Sequence, residues 1–265
     1  MKTITVINAK GGCGKSTIAM SLAAGLSLRG VRVLLMDLDP QAQVTQWLSA
    51  GDGLRPEGTL VSALTGQQSL TDVIQPTGYA NISFVASSAG LEDLGREISA
   101  TEGYPAMLTE LLAREHIADR FDFLVIDSPN QISPIMENAI FPADGFIIPF
   151  ESTKAVKSYA SVYQLLLKLR PGGDYRLLHV LSNLTIRPGL RRRVLALLHQ
   201  DKLETAQTEI RSCGWLAQVD EFGGSIFHYR PHSNGSRDMS TLVDEVLTLF
   251  ANGQIAHPEM PSIAA

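Results

Sequence analysis

The sequence lacks the features that mark membrane, secreted and cysteine-bound metal proteins. No apolar run approaches the roughly 20 residues that cross a bilayer. The first residues lead directly into an apolar stretch at 3–8, so we expect no signal peptide. Two cysteines in 265 residues are too few for a disulfide framework or a cysteine metal site. We therefore expect a cytoplasmic protein, and 45% hydrophobic residues are enough for a sizeable core.

The chain also lacks an overall excess of positive charge. Its net charge of −5 argues by itself against a nucleic-acid-binding protein. The distribution is uneven, however, because residues 154–193 contain one acidic residue, Asp174, and nine basic residues: Lys154, Lys157, Lys168, Arg170, Arg176, Arg187, Arg191, Arg192 and Arg193. Such a basic window indicates an anionic partner. It is equally consistent with a solvated face whose charge is offset by acidic neighbours in the fold.

Short apolar runs alternate with helical patterns along the chain. We predict strands at residues 4–8, 31–37, 82–86, 123–127, 145–150 and 177–182, and helices at 15–29, 41–48, 59–64, 106–116, 156–170, 189–199 and 240–250. Continuous apolar strands between helices predict an α/β fold with a single doubly wound, mostly parallel sheet. We expect one domain over residues 1–250 and a loose tail over 251–265, which contains Pro258 and Pro261.

A phosphate-binding loop is the strongest motif in the chain. Between the first predicted strand and the first predicted helix the sequence reads Lys10-Gly11-Gly12-Cys13-Gly14-Lys15-Ser16-Thr17. Glycines allow the backbone N–H groups to point inward, and the start of the helix adds positive potential, so the loop forms a nest for phosphate. Lys15 is expected to reach the β- and γ-phosphates, and the Ser16 hydroxyl to bind Mg²⁺. The motif therefore predicts a site for a nucleoside triphosphate.

This loop resembles the deviant Walker A motif of the ParA/MinD family of P-loop ATPases, in which a signature lysine stands at the position of Lys10. The resemblance implies a homodimer formed with ATP, in which Lys10 contacts phosphates bound to the other subunit. It also implies that the loop residues Gly11 to Thr17, including Cys13, surround the nucleotide. Slow ATP hydrolysis stimulated by an adaptor protein belongs to the same expectation.

Further residues match family motifs after later strands. Asp37 and Asp39 follow the second strand, where the resemblance implies that Asp39 orients the attacking water and Asp37 lies near the Mg²⁺ shell. The two could instead cap the next helix. Asp127 ends the run Phe-Leu-Val-Ile-Asp, which is similar to a Walker B strand, and is expected to hold a Mg²⁺-bound water. Asn183 lies where the family places a residue that reads adenine, although a turn asparagine without a ligand is nearly as consistent.

Three branches of this family make different predictions. A nitrogenase-like iron protein needs cluster-binding cysteines after Walker B, and neither Cys13 nor Cys213 lies there. A MinD-like membrane-associated positioning ATPase needs a basic amphipathic C-terminal helix, whereas residues 251–265 contain no lysine or arginine. This second branch remains the alternative, with no direct membrane anchor expected.

A ParA-like switch on nonspecific nucleoid DNA is the preferred interpretation. The densest basic group, Arg187, Arg191, Arg192 and Arg193, is expected to contact DNA phosphates without reading sequence. Because the nucleotide motif begins at residue 10, we expect no helix-turn-helix before it and no sequence-specific operator binding. The cargo could be a plasmid, a chromosome or a protein organelle such as a carboxysome, with a ParB-like or organelle-linked adaptor.

Overall fold

The structure is a computed structural model that describes residues 1–53, 55–183 and 187–251. These residues form a seven-stranded sheet with strands β1 (Lys2–Val6), β2 (Val33–Asp37), β3 (Gln75–Pro76), β4 (Ile82–Val85), β5 (Phe123–Asp127), β6 (Gly145–Phe150) and β7 (Arg176–Leu181). The expected tail at 252–265 lies outside the described residues. No helix among the described residues is both long and apolar enough to span a bilayer.

Twelve α-helices connect or cover these strands within the described residues. They are α1 (Lys15–Ser27), α2 (Gln43–Asp52), α3 (Leu60–Leu64), α4 (Leu70–Val73), α5 (Gly90–Ile98), α6 (Met107–Arg114), α7 (Pro134–Ile140), α8 (Thr153–Leu169), α9 (Pro188–Gln200), α10 (Val219–Phe222), α11 (Ile226–Tyr229) and α12 (Asn234–Ala251). Three short 3₁₀ turns occur at Tyr104–Ala106, Ile117–Asp119 and Leu216–Gln218. All seven helices predicted from the sequence are present.

The sheet confirms the predicted doubly wound architecture. Its strand order is β3-β4-β2-β5-β1-β6-β7, and every pairing is parallel except β3 with β4. Residues of β2, β5 and β6 are buried without alternation, because helices cover both faces. The chain moves to one side of β1 for β2 and to the other side for β6. The loop after β1 therefore lies at the switch point, where ligands bind in such sheets.

Helix α1 is the central helix of one face and is buried along nearly its whole length. Its small and apolar residues pack on the sheet on one side and on α11 and α12 on the other. Gly25 allows the close approach of α12, since a Cβ there would lie 2.5 Å from Cγ2 of Val243. The helix that follows the phosphate loop is thus held on both sides, which fixes the start of α1.

Candidate nucleotide site

The phosphate loop joins β1 to α1 with the backbone that its glycines allow. Gly12 and Gly14 have φ of 73° and 93°, in the left-handed region that disfavours residues with a Cβ. Gly14 is the N-cap of α1 and has no side chain to cap the helix. The first N–H groups of α1 therefore remain available to an anion, and the helix dipole favours negative charge there. The loop can bind the phosphates of a nucleotide.

Lys15 is held inside this loop. Its side chain is 5% exposed, and its Nζ donates a hydrogen bond of 3.2 Å to the carbonyl oxygen of Lys10. The Cys13 thiol also contacts that carbonyl oxygen, at 3.1 Å. Burial raises the pKa of Cys13, which favours the neutral thiol. The loop places the Lys15 ammonium in the same buried pocket in which phosphates would lie.

Two aspartates end neighbouring strands beside the loop. Asp37 and Asp127 are register partners at the carboxyl ends of β2 and β5, and both are fully buried. Neither carboxylate oxygen of Asp127 accepts a hydrogen bond from any residue that the structure describes. Asp37 instead accepts hydrogen bonds from the N–H and hydroxyl groups of Thr45, at 3.0 and 2.8 Å, and from the N–H of Asp39 at 3.1 Å.

The electrostatics of this pair suit a divalent cation. Burial raises the pKa of Asp127 well above its ordinary value, and the nearby charge of Asp37 raises it further, while the charge of Lys15 lowers it. Burial also raises the pKa of Asp37 to about 7, against the lowering effect of the hydrogen bonds from Thr45. A bound Mg²⁺ would favour the ionised carboxylates. The unpartnered oxygens of Asp127 are therefore suited to a water of the Mg²⁺ shell.

Ser16 would supply the direct oxygen ligand from the protein. Its hydroxyl lies 3.4 Å from Oε1 of Gln43 at the start of α2. No group of three or more His, Cys, Asp or Glu side chains within the described ranges has the arrangement of a metal site. Mg²⁺ usually takes one or two protein ligands together with waters and substrate phosphates, so this finding fits the predicted set Ser16, Asp37 and Asp127. Asp37 is the least available of the three, because Thr45 occupies its carboxylate.

Asp39 lies between two cavities at the mouth of the site. It is 7% exposed and lines a cavity of about 210 Å³ that also touches Lys15, Ser16 and Gln43. On its other side it lines a groove of about 380 Å³ between α5 and the segment that leads into α7. Its Oδ1 accepts the N–H of Gln41 at 3.0 Å. Asp39 thus lines the same cavity as Lys15 and Ser16, and its water-orienting role stays a prediction.

Lys10 makes its contacts at the edge of the phosphate loop and not inside it. Its ammonium forms an ion pair with Glu151, the residue that follows β6, and donates to the carbonyl oxygen of Gly11 at 3.1 Å. The side chain is 26% exposed. Lys15 supplies the cation inside the loop, so Lys10 is left at the rim.

A second cavity of about 210 Å³ extends from the loop towards the end of β7. Loop residues Gly12 to Gly14 line one wall, and Asn183, Arg211 and Leu216 line the opposite wall. Asn183 is exposed, has φ of 56°, and its N–H donates to the carbonyl oxygen of Ile210 at 2.8 Å. The cavity is suited to a nucleoside, with Asn183 at its edge. Whether Asn183 reads adenine stays a prediction.

Comparison with known proteins establishes the family. A family model described as an AAA domain matches residues 1–170. The chromosome-partitioning ATPase Soj of Thermus thermophilus is 31% identical over 252 residues, which cover 93% of this chain and 96% of Soj. The chain belongs to the ParA/MinD family of P-loop ATPases.

Two solved structures share the fold of this ParA/MinD-family chain. Apo McdA of Cyanothece has a TM-score of 0.80 at 23% identity, covering 93% of this chain and 99% of McdA. The septum site-determining protein MinD of Pyrococcus horikoshii, complexed with Mg-ADP, has a TM-score of 0.77 at 22% identity, covering 96% and 99%. By its family, the chain is a ParA-like partitioning or positioning ATPase that hydrolyses ATP, and Mg²⁺ as its cofactor stays a prediction.

The basic window divides into structural and exposed residues. Arg170 donates to the carbonyl oxygens of Phe141 and Ala143, at 2.7 and 3.0 Å, and Arg176 is buried with its guanidinium over the ring of Phe250. These two arginines stabilise the fold and cannot belong to a binding surface.

Of the four arginines predicted to contact DNA, the structure sets one apart. Arg191 is half-buried and pairs with both carboxylate oxygens of Glu209, at 3.0–3.1 Å. Arg187, Arg192 and Arg193 are exposed at the start of α9. Arg191 therefore fits the alternative in which an acidic neighbour offsets the basic charge. The other three arginines remain candidates for contact with an anionic partner.

The structure also places at the site residues that sequence reasoning missed. These are Gln43, Thr45, Trp47, Asn130, Glu151 and Asp220. The sequence contained a signal for Glu151, because this acidic residue directly follows the buried strand β6, much as Asp127 ends the buried strand β5. Trp47 and Asp220 had none, since their contact joins positions 173 residues apart.

Proposed function

We propose that this ATPase is a nucleotide-switched dimer that binds nonspecific DNA and positions or segregates a cargo, released when an adaptor stimulates hydrolysis. The observation that carries the proposal is the set of exposed cations near the starts of α8 and α9, which follow the carboxyl ends of β6 and β7 and so lie at the same edge of the sheet as the nucleotide site. A switch of this kind requires that ATP bring two subunits together at a shared nucleotide site. The resulting dimer must then present the cations of both subunits to one DNA duplex. The protein would then be associated with the nucleoid.

The position of Lys10 supports a site shared between two subunits. Lys15 already supplies the ammonium inside the loop, and Lys10 stands at the rim in an ion pair with Glu151. A second subunit that faces the loop would bring triphosphate charge towards its partner's Lys10. A cation supplied across an interface can stabilise that charge, as an arginine finger does. Contact with the partner subunit's triphosphate would separate Lys10 from Glu151.

The exposed cations lie on two helices that pack together. On α8, Lys154, Lys157 and Lys168 are exposed and are separated by three and eleven residues, about one and three helical turns, so they share a face. On α9, which packs against α8, Arg192 and Arg193 are exposed in the first two turns. Cations of this kind bind DNA through phosphates, without base readout.

Dimerisation would make the DNA contact switchable. A monomer offers one such set of cations, whereas a dimer offers two sets that engage one duplex together. Linked contacts of this sort raise the overall affinity far above that of either set alone. The cargo and the adaptor, whether ParB-like or organelle-linked, remain to be identified, and chromosome, plasmid and carboxysome are all compatible with the switch.

A double substitution of exposed arginines tests the DNA surface. We expect Arg192→Ala with Arg193→Ala to weaken ATP-dependent DNA binding and to flatten its salt dependence. Each lost phosphate contact lowers the slope of log K against log salt by about 0.9, so four contacts in a dimer lower it by about 3–4. Fluorescence anisotropy with a labelled duplex at several salt concentrations measures both quantities.

The matched control removes the same charge elsewhere. Arg114 and Arg120 are exposed near the amino-terminal edge of the sheet, away from the nucleotide site. Arg114→Ala with Arg120→Ala should leave the slope unchanged. Equal weakening by both double variants would mean that net charge alone governs binding, and an unchanged slope in the α9 variant would refute the proposed surface.

A further inference from the structure

A short segment crosses the mouth of the nucleotide site. Residues 213–222, here called the strap, contain the turn Leu216–Gln218 and helix α10. Leu216 and Ala217 line both the nucleoside cavity and the phosphate-side cavity. A nucleotide that occupies the two cavities would therefore pass under the strap, and its affinity would depend on where the strap is held.

We propose that Trp47 is a positioning residue for ATP, which acts by holding the strap over the bound nucleotide. The Trp47 side chain is 6% exposed, and its indole N–H donates a hydrogen bond to the carboxylate of Asp220. Both residues line the phosphate-side cavity. The bond ties the strap to α2, which begins beside the phosphate loop.

Two glycines bring the end of the strap against α2 and Tyr79. Gly223 has φ of 67°, and a Cβ there would lie 2.9 Å from the carbonyl oxygen of Trp47 and 3.0 Å from Cα of Gly51. Gly224 lies even closer to a different neighbour, since a Cβ there would lie 1.7 Å from the hydroxyl oxygen of Tyr79, just before β4. The contacts of Gly223 bring the backbone after the strap against α2, so that Asp220 comes within reach of the Trp47 indole.

The same helix carries contacts from the Mg²⁺ side of the site. Gln43 meets the Ser16 hydroxyl, and Thr45 donates twice to Asp37. Trp47 follows Thr45 by two residues on α2. One short helix therefore contacts the predicted Mg²⁺ ligands at its first turn and the strap at Trp47, so the position of the strap is set from the phosphate side.

The other side of the strap is attached to the body of the protein. The Tyr229 hydroxyl donates to the carbonyl oxygen of Trp215 at 3.1 Å, and Leu216 packs on Gly235, where a Cβ would lie 2.9 Å from its Cγ. Arg230 lies over the Trp215 ring at 3.8 Å and over the Phe222 ring at 5.4 Å. Loss of the Trp47–Asp220 bond would thus free the strap on its phosphate side while these attachments remain.

Removing the indole N–H tests the proposal. Trp47→Phe keeps an aromatic ring in the buried position but cannot donate to Asp220. We expect the Kd for ATP and for ADP to rise about tenfold, which corresponds to about 1.4 kcal/mol, since hydrogen bonds to charged groups are among the stronger ones. KM should rise similarly while kcat stays within twofold. Titration with a fluorescent ATP analogue and steady-state kinetics measure these quantities.

Variants of the partner distinguish positioning from simple destabilisation. Asp220 is exposed, and Asp220→Ala should reproduce the loss of ATP affinity. Asp220→Asn should keep most of the affinity, because its amide oxygen still accepts the hydrogen bond. The double variant Trp47→Phe with Asp220→Ala should bind ATP no more weakly than either single variant. Tyr104→Phe is the matched control, because it removes a 2.7 Å hydrogen bond to Glu137 outside the nucleotide cavities and should leave Kd unchanged. This role of Trp47 rests on the chain's being an ATPase and does not depend on the proposed DNA binding. Wild-type Kd in Trp47→Phe, or in Asp220→Ala, would overturn it.

Discussion

Replacing Lys15 with alanine is expected to abolish the switch at its first step. The Lys15 ammonium is buried inside the phosphate loop, where it would meet the β- and γ-phosphates and where it also lowers the pKa of Asp127. Loss of one such preorganised donor typically lowers kcat by about 10²–10³. Nucleotide affinity falls too, because a charge-assisted contact is lost. Phosphate-release kinetics and nucleotide titration measure the two effects.

The informative control for Lys15 is the other lysine of the loop. Lys10→Ala removes an ammonium of equal charge that points to the rim, so it should bind ATP with nearly wild-type affinity. Both variants should lose ATP-dependent DNA binding, Lys15→Ala because ATP is not held and Lys10→Ala because the subunits do not join. Retained ATP-dependent DNA binding in Lys15→Ala would rule out the proposed mechanism.

Replacing Asp39 with alanine is expected to separate binding from hydrolysis. The carboxylate lines the phosphate-side cavity, while the backbone at this position is held independently by the Ser87 hydroxyl, which donates to the Asp39 carbonyl oxygen at 2.6 Å. Removing the side chain should therefore leave ATP affinity within about threefold, yet lower hydrolysis by about 10²–10⁴, the usual contribution of a positioned base. The dimer should accumulate on DNA.

A carboxylate on the same side of the molecule serves as control for Asp39. Asp93 is exposed on α5 and pairs with Arg96, so Asp93→Ala should hydrolyse ATP at the wild-type rate. Pre-steady-state phosphate release, with DNA dissociation followed by anisotropy, compares the variants. A wild-type hydrolysis rate in Asp39→Ala would remove Asp39 from the hydrolytic step.

Local patterns were sufficient to predict most of the fold. The central strands β2, β5 and β6 are almost entirely apolar runs, and α1 is marked by the motif that precedes it. Helix α5 was missed although Leu91, Leu94 and Ile98 recur at helical spacing, because charged residues separate them. Helix α7 was missed for a different reason: it is short, and its Glu137 and Asn138 are buried by tertiary contacts.

Sequence patterns could predict only those site residues that lie at or just after the ends of strands. Asp37 and Asp127 end neighbouring strands and Asp39 follows Asp37 by two residues, so their proximity follows from topology. The ion pair of Lys10 with Glu151 and the bond of Trp47 with Asp220 join residues far apart in the sequence, and no local pattern encodes them. Likewise, only the placement of α9 in the fold shows that Arg191 pairs with Glu209 and so differs from the other three arginines predicted to contact DNA.

The mass of the protein in solution with nucleotide tests the central claim most directly. In sedimentation velocity with ATP and Mg²⁺, Asp39→Ala should sediment as a dimer of twice the 28.7 kDa chain and should return to monomer when ADP replaces ATP. Adding Lys10→Ala to that variant should leave it monomeric with ATP still bound. A monomer in ATP before Lys10 is changed, or an undiminished dimer after it is changed, would contradict the shared site.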